Sequence, residues 1–249
     1  MEKTALVLSA GAFLGAYQAG VWKGLRERFQ PDMVVGSSVG ALNGWAIAGG
    51  CASDELIDEW LNPVNARLMA MRFPLRPWAG IFNPYELSCK VDRLFERYRP
   101  KAPYGLTAVE IPNLRLHLIR DGDVTVKHLL ATCSIPCGYP AVRVNGRWLV
   151  DGGFMSVLPL WAAVEMGATR AVAVHAMPQM PSRTIRWTVN AFQRLGGEPG
   201  VPLELEVRMI APSPPAKKLR DFVRWDRDAI TNLIARGVED GRAAKLFDG

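Results

Sequence analysis

The run Met33-Val34-Val35 leads directly into Gly36-Ser37-Ser38-Val39-Gly40. This G-x-S-x-G spacing constrains the fold more than any other stretch of the chain. It sets Ser38 on a sharp strand-to-helix turn with its hydroxyl pushed clear of the backbone. Side chains at 36 or 40 would crowd such a turn, and glycine leaves room. Residues 41–48 are small and apolar and predict a buried helix. Free N–H groups and the positive end of the helix dipole would face Ser38 and favour an anion there. That is the layout of a nucleophile for acyl transfer. The same pattern also occurs as a plain glycine-rich turn, so other segments must agree.

Apolar runs and turn residues predict an alternating order of elements. Residues 4–8 read as a buried strand, 16–29 as a helix, and 33–35 as the second strand. A helix is expected from Ser53 to Leu61, and another from Tyr85 to Tyr98. Residues 114–120 alternate like a strand, and 125–134 read as a helix that Pro136 ends. Asn145-Gly146 between two apolar runs signals a hairpin over 141–150. A helix over 159–166, strands over 171–175 and 203–210, and a helix over 226–247 follow. This order predicts one three-layer α/β/α domain with a largely parallel central sheet. Its core is expected over 4–176, with irregular cap or lid candidates at 62–105 and 177–200.

Composition narrows the function classes. The 249 residues are 49% hydrophobic and 22% charged, enough for a sizeable core. The net charge of +6 is scattered rather than blocked, and no zinc-finger or RNA-binding motif accompanies it. Nucleic acid is therefore not expected as a partner. Cys51, Cys89, Cys133 and Cys137 form no C-x-x-C pair, which fits a reduced, cytoplasmic setting and no metal site. Residues 4–22 lack charge, but Gly11, Gly15, Gly20, Tyr17 and Gln18 interrupt them and Glu2 spoils a positive leader, so no signal peptide is expected.

Ligands in α/β sheets sit at the carboxyl ends of the strands. Three candidates end there. Residues 9–15, Ser-Ala-Gly-Ala-Phe-Leu-Gly, form a loop able to aim N–H groups at a developing oxyanion. A dinucleotide fingerprint would need G-x-G-x-x-G, and Gly11 and Gly15 have the wrong spacing, so no cofactor is expected. Ser38 is the second candidate. Asp151, followed by Gly152 and Gly153, is the third: either a turn cap or a base for Ser38. Of the three histidines, His175 completes the chain order Ser…Asp…His of an α/β-hydrolase. Several strands precede the nucleophile in that fold, whereas Ser38 follows only the second, so His175 reads as a strand-end or core residue.

Residues 6–21, the Gly36-to-Gly40 elbow, the stretch from Ala131 to Val142 and Asp151-Gly152-Gly153 together resemble the patatin-like phospholipase family. The order and spacing match from about residue 4 to 176, with Gly167-Ala168 fitting as well. The resemblance implies lipid acyl hydrolysis by a Ser-Asp dyad without histidine. By position, Ser38 is then the nucleophile, Asp151 the base, and the N–H groups of Gly11, Ala12 and Val39 the oxyanion hole. Two departures stand out. The family's G-G-G-x-R-G loop is here Ala10-Gly11-Ala12-Phe13-Leu14-Gly15, so two alanines must keep φ below zero and the arginine is missing. Leu158 also precedes Pro159 where the family often has asparagine. A broad acyl ester substrate is therefore expected.

Aromatic, methionine and arginine residues mix in both lid candidates, as suits peripheral contact with a lipid surface. A catalytically weak lipid-binding protein on the same fold is the rival function. A nucleotide-binding Rossmann protein is the rival from another class.

Overall fold

The computed structural model describes residues 2–73, 76, 79–179, 189, 193, 196–215 and 219–247. Its eight strands are β1 (Thr4–Leu8), β2 (Met33–Ser37), β3 (Tyr104–Ile111), β4 (Arg115–Arg120), β5 (Val142–Val144), β6 (Arg147–Asp151), β7 (Arg170–Val174) and β8 (Glu206–Ile210). They form one sheet in the order β5-β6-β3-β2-β1-β7-β8, with β4 also on β3. The run β3-β2-β1-β7-β8 is parallel, while β4, β5 and β6 join antiparallel. The sheet is thus mixed, parallel through its centre and antiparallel beyond β3.

The helices are α1 (Gly15–Leu25), α2 (Val39–Ala48), α3 (Ser53–Leu61), α4 (Pro84–Arg97), α5 (Val126–Ala131), α6 (Leu160–Glu165), α7 (Leu219–Val223) and α8 (Arg227–Ala243). Both sheet faces are covered, which is why β1 and β2 read as unbroken apolar runs. Leu6, Leu8 and Val34 pack with residues of α1, α2 and α3 on one face, and Ala5, Val7 and Val35 with Trp161, Ala162 and Ala163 of α6 on the other. Three layers result.

Strand β3 is absent from the sequence expectation, because Gly105, Thr107 and Ala108 dilute its apolar signal. It is nevertheless the strand that builds the site. One edge of β3 pairs with β4 over residues 105–110. The other edge carries β2 as far as Thr107 and then β6 from Ala108 onward. Because β2 runs parallel to β3 and β6 antiparallel, their carboxyl ends meet head to head. Ser37 pairs with Thr107 and Asp151 with Ala108.

Several boundaries differ from expectation. Helix α1 ends at Leu25 rather than 29: Arg26 N still donates to Trp22 O at 2.9 Å, and the chain then tightens into a turn in which Arg28 N donates to Leu25 O at 2.9 Å. There Arg28 Nη2 donates to the oxygens of Gly241, Arg242 and Ala244 at 2.6, 2.8 and 2.9 Å, and so caps the end of α8. Helix α8 begins after Asp226, whose Oδ1 accepts from Ala229 N at 3.0 Å. It lies so close to α1 that a Cβ on Gly24 would meet Val238 O at 2.6 Å, and one on Gly241 would meet Val21 O at 2.6 Å. Tyr17 Oη donates to Asp240 Oδ2 across the same seam at 2.6 Å. Strand β8 starts at Glu206, leaving Leu203 fully exposed. Most of the lid candidate at 177–200 lies outside the described residues. Among the described residues, no helix is long and apolar enough to cross a membrane and no side-chain cluster suits a metal ion. All four cysteines are free.

Candidate active site

Ser38 sits between β2 and α2 with φ 54° and ψ −129°, a backbone conformation unfavourable for an L-residue. The surrounding glycines allow it. A Cβ on Gly36 would strike the carbonyl of Gly40, and one on Gly40 would strike those of Leu8 and Ser9. The turn is further tied by Ser38 N, which donates to Thr132 Oγ1 at 2.9 Å, while Thr132 Oγ1 donates to Thr107 O at 2.7 Å. Thr132 thus fastens the turn to β3. Thr132 lies in the stretch that carries the family resemblance, but its partner is 94 positions away, so no local sequence signal marks the tether.

The head-to-head meeting of β2 and β6 brings Ser38 Oγ to Asp151 Oδ2, with the hydroxyl donating at 2.7 Å. The other carboxylate oxygen accepts from Gly153 N at 2.7 Å, which fixes the carboxylate plane. Gly152 and Gly153 let this turn pack on Thr107 and Ala10. Asp151 is 4% exposed. Burial raises its carboxyl to about 7, against the opposing hydrogen bonds from Ser38 and Gly153. Such a carboxylate, direct on a serine hydroxyl, is equipped to take that proton near neutral pH.

No histidine intervenes. His117 Nε2 meets Glu110 Oε2 at 2.7 Å, His128 pairs with Thr125, and His175 lies just beyond β7, its Nδ1 buried without a partner among the described residues. Burial lowers the pKa of His175.

The loop before α1 supplies the other half of the site. Among the described residues the N–H groups of Gly11, Ala12 and Val39 have no acceptor. Ala12 and Val39 line the same cavity as Ser38, while Gly11 is buried and outside its lining. Ala12 has φ 48°, so the expectation of negative φ at both alanines fails there. This strain of about 1 kcal/mol is held by the packed neighbours. Leu14 is 1% exposed and packs in the core, so the position where the family carries arginine cannot reach a ligand. Gly15, at the start of α1, lies against Val39 and Trp60, where a Cβ would come within 2.6 Å and 2.7 Å.

Behind the loop runs a buried polar chain. Gln18 Nε2 donates to Ser9 O at 2.7 Å, Asn43 Nδ2 to Gln18 Oε1 at 3.0 Å and to Gly15 O at 3.0 Å, and Trp60 Nε1 to Asn43 Oδ1 at 3.1 Å. A polar Asn43 inside an otherwise apolar buried helix was the available signal for this chain, since such groups need partners. The cavity in front of Ser38 has a volume of about 470 Å³. Phe13, Leu42, Trp60, Leu68, Met69 and Ile135 give it a largely apolar wall. That size lies within the range of about 300–1,000 Å³ usual for organic ligands.

Residues 6–164 match the model of the Patatin-like phospholipase family. Patatin-like phospholipase domain-containing protein 6 of Homo sapiens is 25% identical over 179 residues, 68% of this chain and 13% of that protein. An uncharacterized NTE family protein of Mycobacterium tuberculosis is 28% identical over 199 residues, 76% of this chain and 54% of that one. The chain therefore spans about half or less of the length of these relatives. The crystal structure of VipD from Legionella pneumophila superposes with a TM-score of 0.56 at 11% identity, over 97% of this chain and 66% of that one, a likeness of fold. Strands β1, β2 and β3, the serine turn after β2 and the aspartate that meets it lie within the matched span or at its edge, and the chain belongs to the patatin-like phospholipase family.

Proposed function

We propose that this protein is a serine acyl hydrolase that cleaves lipid acyl esters through a Ser38-Asp151 dyad. The observation that carries the reading is the 2.7 Å hydrogen bond from Ser38 Oγ to Asp151 Oδ2 beside a 470 Å³ apolar cavity. Ser38 Oγ attacks the acyl carbonyl carbon while its proton passes to Asp151. The carbonyl oxygen becomes an oxyanion, held by the N–H groups of Ala12 and Val39, which line the cavity with Ser38. Collapse expels the alcohol, which takes the proton from Asp151. Water, deprotonated by Asp151, then attacks the acyl-enzyme, and collapse frees the fatty acid as Ser38 Oγ takes the proton back from Asp151. The apolar part of the cavity wall, with Phe13, Leu42, Leu68 and Met69, receives the acyl chain. No cofactor is required for these steps.

The segment from Val64 to Tyr85 favours docking on a lipid surface. Met71, Phe73 and Tyr85 are 78%, 90% and 67% exposed, and Arg67, Arg72 and Arg76 are exposed in the same stretch. Backbone bonds from Arg72 N to Ile81 O (2.7 Å) and Asn83 N to Ala70 O (3.0 Å) brace it. Leu68 and Met69 face the cavity from its inner side. Apolar tips among arginines suit an anionic interface.

The test is a fluorophosphonate probe with p-nitrophenyl esters of rising chain length. Wild type should label and turn over, Ser38→Ala should do neither, and His175→Ala should retain activity within about threefold. Equal inactivity of wild type and Ser38→Ala at every length would favour the lipid-binding reading. A loss of about three orders of magnitude in His175→Ala would replace the dyad by a triad.

A further inference from the structure

One ammonium opens into the apolar cavity. Lys90 lies on the inward face of α4 between Leu87 and Leu94, where helix periodicity calls for an apolar residue. Its Nζ donates to Asn65 Oδ1 at 2.8 Å and stands 5.9 Å from the centroid of the Trp60 ring. Both partners are neutral and both are fixed. Asn65, 3% exposed, donates to Glu59 O at 2.6 Å and Trp60 O at 3.3 Å, and Trp60 is held by Asn43.

No carboxylate lies within ion-pair distance of Lys90 among the described residues. Glu59, its acidic neighbour, is engaged by Arg97 at 3.6 Å, and the cavity wall carries Arg93 and Arg97 beside Lys90 against Glu59 and Glu96, an excess of one positive charge. An ammonium has three donors and Asn65 takes one. A lysine that merely laid its stem on apolar surface would send its head to water. Here the head turns back onto a buried amide beside the cavity. A partly desolvated cation with spare donors and neutral partners is completed by an anion.

We propose that Lys90 binds the phosphate of the substrate's alcohol portion, and so selects acyl esters bearing a phosphate over neutral acyl glycerols. This rests on the hydrolase reading. It answers the loss of the loop arginine: Leu14 is buried, and the positive charge comes instead from α4. Burial pushes the Lys90 ammonium down to about 8, with Glu59 opposing and Arg93 adding, which leaves it charged at neutral pH.

The experiment compares dodecanoyl glycerol phosphate with dodecanoyl glycerol, both below their aggregation concentrations, on wild type, Lys90→Met and Lys90→Arg. Lys90→Met should lower kcat/KM on the phosphate ester about 10–100-fold, mainly through KM, as loss of a charged hydrogen bond predicts. Neutral ester turnover should stay within about threefold, and Lys90→Arg should keep most of the preference. Equal losses on both esters, or none on the phosphate ester, overturn the assignment. A binding arm uses Ser38→Ala with dodecyl phosphate, dodecanol and inorganic phosphate in calorimetry. Added Lys90→Met should weaken dodecyl phosphate alone. Inorganic phosphate bound as tightly as dodecyl phosphate would mark a free-anion site and overturn the lipid assignment. If neither ester is cleaved, the hydrolase reading fails, and the calorimetry still decides Lys90.

Discussion

Replacing Asp151 by asparagine should stabilise the protein while it abolishes turnover, and the gain should grow with pH. Burial raises the Asp151 carboxyl from 3.8 to about 7, against the hydrogen bonds that favour its ionised form. In the unfolded chain it ionises near its ordinary value of about 3.9. Between those two values the native state keeps a proton that the unfolded state has released. Stability contributed by this group is therefore full below about pH 4 and is lost as pH rises toward 7. With about 1.4 kcal/mol for each pH unit, the loss is under about 2 kcal/mol at pH 5 and about 4 kcal/mol at pH 8. Asparagine matches the shape, offers an oxygen to Gly153 N–H and a donor to Ser38 Oγ, and carries no such dependence. At about 2–4 °C per kcal/mol for a chain of this size, Asp151→Asn should melt roughly 8–15 °C above wild type at pH 8 and a few degrees above it at pH 5. Calorimetric or circular-dichroism melts of both proteins in half-unit steps from pH 5 to 8.5, at constant ionic strength, measure this. A difference in Tm that is flat across pH, or negative at pH 8, refutes the reasoning. The same ionisation should give kcat/KM an ascending limb centred near 7, since only the carboxylate accepts the serine proton.

Two further outcomes are expected. Thr132→Val removes the acceptor for Ser38 N–H and should cost about 1–3 kcal/mol in denaturant melts, with a drop in kcat, while Thr132→Ser should stay near wild type. Met71→Ser with Phe73→Ser should reduce flotation with anionic vesicles and leave hydrolysis of short soluble esters unchanged. Equal flotation of the double variant and wild type at low salt would remove the docking role of that segment.

Much of the fold is legible because it is written locally. Helix α3 runs from Ser53 to Leu61 as its acidic start and apolar spacing dictate, and the Asn145-Gly146 turn has φ 48° and 83° at its two central residues, as a type I′ hairpin requires. Strand β3 was not legible, since Gly105 and Ala108 carry little strand propensity, Thr107 breaks the apolar run, and the segment is kept in place by three partner strands. Ala12 shows the same limit. Nothing local favours alanine at φ 48°, and the conformation belongs to the loop's packing rather than its composition. Lys90 is a third case: its side chain gains meaning from Asn65 and Trp60, which lie on other elements.

These tertiary features converge. The positive φ at Ser38 and Ala12 and the raised carboxyl of Asp151 all oppose folding, and all lie where β1, β2 and β6 end around β3. Positive φ also occurs at Leu114, Cys137 and Asn145, but at Ser38 and Ala12 it adjoins the buried carboxyl of Asp151, the combination expected where a site's geometry is held against strain. What holds them reaches outward: Thr132 ties the serine turn to β3, and Gln18, Asn43 and Trp60 tie the loop of Ala12 to the wall that carries Lys90. The residues that would steady an oxyanion and the residue that would hold a phosphate are therefore parts of one buried polar chain. A change at Asn43 should disturb both, raising KM for the phosphate ester and lowering kcat for either ester, an effect that loss of Lys90 alone does not produce.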